Sequence, residues 1–361
     1  TSHPVTITVK HNLGNVLYLL DRHQISRLPV LEGRRVVGMI SRGDIIRAEA
    51  NYLNCESFPN QPKVKPSYTV YQTQSPSIGR GRLLVLVANP ETADALLQLA
   101  AIIAKHNRYE IECLQVISIS RHNNPAETPV KTAPSRKLLV SAEIIGKKWN
   151  IPVHTQIRVA HEVANATLET IKERHIDTVL MGWKGSTDTP GRIFGNVVDT
   201  IIRQATCELL LVKLGNSANL NANLNANFKR CLVPMAGGPN AKIALKLIPA
   251  LVTSSHELEI GLTQVFPLSQ QKDMSVLKAA KQLLINKYKL SNLIKVTTIR
   301  NNSVSEGVIN LVNTQGFDLV VLGASREGML QQAMNGNIPE AIASGVDCTV
   351  ILVRGMIGYE L

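Results

Sequence analysis

"GWKGSTDTPGRIFGN", residues 182–196, places three of its four glycines at spacings of three and ten, directly after the apolar run "TVLM" (178–181). Such a loop either holds a phosphate or only turns the chain. Glycine permits φ > 0 and lets the backbone approach a ligand closely. The segment after Gly195 reads as a helix, so the N–H groups of Gly195, Asn196 and Val197 point outward at a helix start, an anion site by geometry and dipole. Asn196 is also a good N-cap.

The loop recurs. "HIDTVLMGWKGSTDTPGRIFGNVVDTIIRQATCELLLVKL" (175–214) aligns without a gap to "GFDLVVLGASREGMLQQAMNGNIPEAIASGVDCTVILVRG" (316–355) at an offset of 141. Asp177 meets Asp318, Gly182 meets Gly323, Gly195-Asn196 meets Gly336-Asn337, Cys207 meets Cys348 and Lys213 meets Arg354. So many matches indicate a duplicated domain. At the domain starts, "GRLLVLVANPETADALL" and "KRCLVPMAGGPNAKIAL", the offset is 148. The second copy is therefore shorter inside, and the polar stretch 120–137 is the expected place, because loops absorb insertions.

Each copy alternates short apolar runs (Leu83–Val87, Ile111–Ile119, Val153–Val159, Thr178–Met181, Glu208–Val212) with segments of helical periodicity (Ala95–Ala104, Lys137–Trp149, His161–Arg174, Val197–Ala205). That pattern predicts an α/β fold, a doubly wound parallel sheet covered on both faces. Ligands bind such sheets beyond the carboxyl ends of the strands, where the glycine loop sits. The Asn-rich stretch 215–228 reads as a linker between the copies.

"GWKG", nine residues, then "GN" resembles the GxxG-x9-G[S/T] nucleotide loop of the universal stress protein family, a HUP-like fold. The strand–helix order and the Cys before each last strand ("CELLLV", "CTVILV") are similar too. The resemblance implies that the loop holds the phosphates of ATP, through Gly182, Gly185, Gly195, Asn196 and Val197 in the first copy and Gly323, Arg326, Gly336 and Asn337 in the second. It also marks departures. Ala88 and Ala236 stand where an Asp normally contacts adenine, and Asn follows the last glycine in both copies. Arg326 replaces the second glycine of the second loop. It either pairs with a phosphate or blocks the site. "MAGGPNA" (235–241) lacks the acid and the serine of a pyrophosphatase loop, which excludes that enzyme; its glycines can still approach an anion.

The first residues have their own pattern. An alternating strand leads to a helix carrying Val16, Leu17, Leu19 and Leu20. "RLPVL" and "VVGMIS" then form a hairpin about Glu32-Gly33, and "RGDIIRAE" opens a last helix. This stretch resembles a CBS domain, small and α+β. There Ser41 and Asp44 take the positions that hold a nucleotide's phosphate and ribose; the plain alternative for Asp44 is helix capping. CBS domains work in pairs, and the partner is expected upstream in the same polypeptide or from a second chain as a homodimer. An unpaired face would be apolar, with Val16, Leu20, Ile45 and Ile46 as candidates.

The expected organisation is a CBS domain over 1–53, a Pro- and Ser-rich linker over 54–81, one repeat over 82–214, the Asn-rich linker over 215–228 and the second repeat over 229–356. The net charge of +12 fits a solvated basic surface or anionic partners, but the basic residues are dispersed and not interleaved with aromatics, which argues against nucleic acid. The five cysteines form no CxxC pair and the nine histidines show no ligand spacing, so no metal is expected. No apolar run reaches the roughly 20 residues that span a bilayer. One CBS domain followed by two stress-protein-like domains is similar to the cytoplasmic region of a ClC-type chloride channel or transporter. That implies a membrane domain upstream, a place at the cytoplasmic face of the inner membrane, and ATP or AMP as a sensed ligand. The alternatives are a soluble nucleotide-binding stress protein and the tail of a cation–proton antiporter. No paired carboxylates, Ser/His/Asp order or metal cluster argues for an enzyme.

Overall fold

The computed structural model describes residues 4–8, 16, 19, 20, 22, 23, 25–33, 35–45, 64–185, 193–215, 228–235, 239–255, 257–269, 272–290, 293–324 and 337–356. The chain divides into two units, Thr1–Lys63 and Val64–Leu361.

In the first unit, β1 (Ile7–Thr8) pairs parallel with β2 (Arg27–Glu32), which pairs antiparallel with β3 (Arg35–Ser41). The expected hairpin forms about Gly33, whose φ of +63° is the conformation glycine adopts without strain. Ile7, Val16, Leu20, Leu28 and Ile45 make the core. Three of the four residues expected on an unpaired face are thus interior, packed with Ile7 and Leu28 of the sheet. Ile46 lies outside the described residues. The exposed apolar side chains are instead Val36, Val37 and Met39 on β3.

The second unit is built on one sheet of eleven strands. Its first strand is β4 (Tyr68–Thr73). The first repeat then runs β5 (Arg82–Leu86), α1 (Pro90–Asn107), β6 (Glu110–Ser118), α2 (Ala133–Trp149), β7 (Val153–Ala160), α3 (Val163–Glu173), β8 (Thr178–Gly182), α4 (Asn196–Gln204) and β9 (Glu208–Lys213). The second repeat runs β10 (Arg230–Pro234), α5 (Pro239–Ser254), β11 (Glu259–Phe266), α6 (Ser275–Tyr288), β12 (Ile294–Arg300), α7 (Val304–Gln315), β13 (Leu319–Gly323), α8 (Ile338–Gly345) and β14 (Thr349–Arg354). The strand order is β12-β11-β10-β13-β14-β9-β8-β5-β6-β7-β4. Pairing inside each repeat is parallel. The repeats join antiparallel through β9 and β14, with Leu211 opposite Leu352. Two apolar last strands that would be open edges thereby cover each other.

Helices α1, α2, α5 and α6 cover one face and α3, α4, α7 and α8 the other. Sequence makes α1 the central one. Asn89 caps it by accepting from the Glu91 N–H at 3.0 Å, Pro90 presets its first turn, and Arg108 ends it in the left-handed region. Leu96, Leu97, Ala100, Ile103 and Ala104 are buried along it, and α1 packs on both α2 and α5, so it belongs to both repeats' cores.

Two expectations need correction. Residues 68–73, read as linker, form β4, which pairs antiparallel with β7 and covers that edge. The segment was read as unstructured because its strand signal is short and sits among prolines. Gly215, read as the start of the second linker, belongs to the seam. Its N–H donates to Thr349 Oγ1 at 3.1 Å, and a Cβ there would lie 2.7 Å from the Asp347 carbonyl oxygen. The difference in repeat length falls where expected: the β6–α2 connection spans 119–132, the β11–α6 connection only 267–274.

Candidate functional site: the glycine loop at the switch point

Strand β5 pairs with β6 on one side and β8 on the other, so the chain turns in opposite senses at its carboxyl end and opens a crevice there. Val87, Ala88 and Asn89 leave β5 at this point, and Gly182 leaves β8. Ala88 is exposed and offers no carboxylate.

Each of the three described glycines of the first loop has a local reason. A Cβ at Gly182 would stand 3.1 Å from Leu96 Cδ1, so its absence lets α1 lie close over the end of β8. Gly185 has φ +92° and Gly195 φ +98°, which side chains rarely adopt. The Gly185 carbonyl accepts from Ser344 Oγ at 2.8 Å, which ties this loop to α8 of the second repeat. Trp183 and Phe194 meet edge to face, with centroids 4.8 Å apart, and close the two described ends of the loop on each other. The buried Trp183 indole N–H has no acceptor among the described residues.

The helix start differs by one residue from expectation. Gly195 is the N-cap of α4 and Asn196 its first helical residue, exposed and without a capping bond. Gly195 takes the cap because the turn needs positive φ there. As first-turn residues, Asn196 and Val197 have no intrahelical acceptor for their N–H groups. Two N–H groups ahead of Gly195 are committed: Ile193 and Phe194 donate to the buried Asp199 carboxylate at 3.1 and 2.9 Å. The loop is thus held from below by Asp199, leaving the N–H groups of Asn196 and Val197 for an anion.

In the second repeat, Gly323 ends β13, while Arg326, Gly336 and Ala236 lie outside the described residues. Asn337 is the N-cap of α8; its side chain accepts from the Glu340 N–H at 3.1 Å.

In the CBS-like unit the structure brings Ser41 and Asp44 together. Ser41 Oγ donates to Asp44 Oδ2 at 2.6 Å, the Ser41 N–H donates to the same oxygen at 2.9 Å, and the Asp44 N–H donates to Ser41 Oγ at 3.2 Å. This is a reciprocal cap, the plain alternative for Asp44.

Several repeated residues carry structure rather than ligand, and only the 141-residue offset signalled them. Asp177 accepts from the Arg82 N–H at 2.8 Å, and Asp318 from the Arg230 N–H at 3.0 Å; each pins its repeat's first strand. Lys213 donates to the carbonyls of Val346 and Cys348, Arg354 to those of Ala205 and Cys207. Burial lowers the Lys213 pKa. Asp199 and its counterpart Glu340 approach across the seam; burial first, and then the Asp199 charge, raises the Glu340 pKa. Among the described residues no helix is long and apolar enough to cross a membrane, and no group of three or more His, Cys, Asp or Glu side chains could hold a metal ion.

A tandem pair of doubly wound domains, the first with a glycine-bearing turn into a helix at its switch point, defines a class, and the comparisons name it. The universal stress protein family matches residues 79–213 and 227–354, and the CBS domain matches residues 1–51. The chain belongs to the universal stress protein family and carries a CBS domain ahead of its two family domains. It is 21% identical over 272 residues, 75% of its length, to the Na(+)/H(+) antiporter NhaS5 of Synechocystis, of which it spans 38%. It is 25% identical over 118 residues, 31% of its length, to universal stress protein MJ0531 of Methanocaldococcus jannaschii, covering 69% of that protein. Among solved structures, a universal stress protein from Archaeoglobus fulgidus shares the fold with a TM-score of 0.52 at 14% identity, over 77% of this chain and 97% of that one.

Proposed function

We propose that this chain is the adenine-nucleotide-binding regulatory region of an ion transporter, held at the cytoplasmic face of the membrane by a transport domain of the same polypeptide, and that it senses ATP or AMP without consuming it. The observation that carries the reading is the match to a Na(+)/H(+) antiporter over three quarters of this chain but only 38% of that protein. The architecture alone suggested a ClC-type chloride transporter; this relative favours the cation–proton antiporter alternative. The phosphates sit on the N–H groups of Asn196 and Val197, with Gly182, Gly185 and Gly195 giving room and conformation. The CBS domain meets a second CBS domain through the exposed face of β3. Binding biases transport only as far as the nucleotide prefers one arrangement of the region over another.

The test uses the full-length protein in sealed vesicles with the regulatory region outside. Na+/H+ exchange that changes on adding ATP outside, with no chloride flux, supports the reading. Exchange indifferent to nucleotide refutes the regulatory role, and chloride flux restores the ClC-type assignment.

A further inference from the structure

A cavity lies at the amino ends of β8 and β9, at the opposite end of β8 from the glycine loop. Its volume is about 520 Å³, within the range of small-molecule sites. Its lining comes from both repeats: Ile103 and Tyr109 at the end of α1, Thr178 and Glu208 at the amino ends of β8 and β9, and Lys242, Ile243, Lys246 and Leu247 on α5. Val353 and Gly355 close it from the end of β14. None of Gly182, Gly185, Gly195, Asn196, Val197, Gly323 and Asn337 lines it.

The lining is mostly apolar but has two charged poles. Glu208 is half-buried, and its Oε2 accepts from Thr178 Oγ1 at 3.2 Å. Burial raises its pKa, while the Thr178 bond and the Lys246 charge pull the other way. Tyr109 feels the same acid: burial, then Asp177 and Glu208, raise its pKa. At the other pole Lys242 and Lys246, one turn apart on α5, are exposed and in no ion pair among the described residues. A simple cation would meet the lysines and a simple anion would meet Glu208. Lys246 acts on Glu208 through space without an ion pair, and a ligand carrying both charges at the ends of an apolar body can engage both poles at once.

We infer that this inter-repeat cavity binds a small zwitterion whose ammonium group meets Glu208, whose apolar body lies along Ile103, Ile243 and Leu247, and whose carboxylate or phosphate meets Lys242 and Lys246. The second repeat alone supplies the lysines: their counterparts in the first are Asp94 and Gln98. The cavity therefore has no symmetric twin, and a ligand in it touches both repeats.

The probe is 6-aminohexanoate, with hexanoate and hexylamine as single-charge controls, titrated into the 361-residue chain and followed by ligand-observed NMR. The expected result is saturable binding of 6-aminohexanoate in the millimolar range and at least tenfold weaker binding of both controls. Glu208→Gln and the exposed-site change Lys246→Ala should each weaken the zwitterion several-fold, while Gly195→Val leaves it unchanged. No saturable binding overturns the inference. So does equal binding of hexanoate, which makes the cavity a plain anion site, and so does binding that neither cavity variant alters. Since the loop variant is a separate arm, failure here leaves the nucleotide reading standing.

Discussion

Lys213 and Arg354 are related by the 141-residue repeat, and each reaches across the seam to the carbonyls that follow the last helix of the other repeat: Lys213 to Val346 and Cys348, Arg354 to Ala205 and Cys207. Cations at a helix carboxyl end meet both its dipole and its unpaired carbonyls. The exchange makes the two domains one unit. Arg354 is 2% exposed, and its guanidinium also donates to the Ile202 carbonyl at 3.2 Å. Arg354→Ala should therefore cost about 3 kcal/mol, and Lys213→Met about 1 kcal/mol, in urea denaturation. Gly215→Ala, which forces a methyl group against the backbone of Asp347 and Cys348, should cost about 2 kcal/mol. Denaturation midpoints unchanged in all three would mean that the seam contributes nothing.

Glu110 and Glu112, two residues apart on β6, titrate in opposite directions. Burial alone would raise the Glu110 pKa, but the Gly79 N–H at 2.7 Å, His154 Nε2 at 3.0 Å and Arg82 Nε at 3.2 Å hold it below its ordinary 4.5. The folded state then binds fewer protons than the unfolded chain in acid, so this contribution is complete above 4.5 and fades as pH falls below it. Glu112 is fully buried, and burial raises its pKa against the pull of Arg174, 3.6 Å away. Its contribution runs the other way and falls as pH rises past 4.5. Glu110→Gln should lose stability at neutral pH and flatten the acid limb. Glu112→Gln should gain, relative to the parent, more at neutral pH than in acid. Urea midpoints across that range read both.

With Ala88 at the crevice, base recognition lacks the carboxylate that a universal stress protein of the usual pattern places there. ATP and GTP should bind within about tenfold of each other, and Ala88→Asp should favour ATP by about tenfold through a hydrogen bond to a charged acceptor. Competition calorimetry gives the ratio. A parent that already prefers ATP a hundredfold would place base recognition elsewhere.

The CBS unit leaves Val36 60% and Met39 59% exposed on β3. A second CBS domain covering them should make the chain self-associate. Val36→Lys with Met39→Lys should return it to a monomer in sedimentation velocity, with unchanged circular dichroism. A parent chain that is monomeric at high concentration would remove the pairing.

The repeated α/β architecture was legible because buried parallel strands leave contiguous apolar runs and because the duplication could be checked against itself. What escaped was whatever depends on partners distant in sequence. β4 becomes a strand only because β7 offers it an edge, and Asp199 is tied to the loop by a turn that Gly195 makes. The apolar face of the CBS unit was assigned to Val16, Leu20 and Ile45, which periodicity marks as apolar but cannot sort between core and surface. In the candidate site, spacing singled out Gly182, Gly185 and Gly195, and each has a conformational or packing reason to be glycine. Spacing could not tell that Asp199 already uses two of the nearby N–H groups, nor that Gly195 rather than Asn196 caps the helix.

The most direct test of the nucleotide-binding account is calorimetric titration of ATP into the chain and into its Gly195→Val variant, both first shown folded by circular dichroism. A β-branched side chain at φ +98° is strained and fills the space beside the Asn196 and Val197 N–H groups. The account predicts saturable ATP binding by the parent and at least a tenfold loss in the folded variant. ATP binding equally tight in both, or no heat from the parent at millimolar ATP, would contradict it.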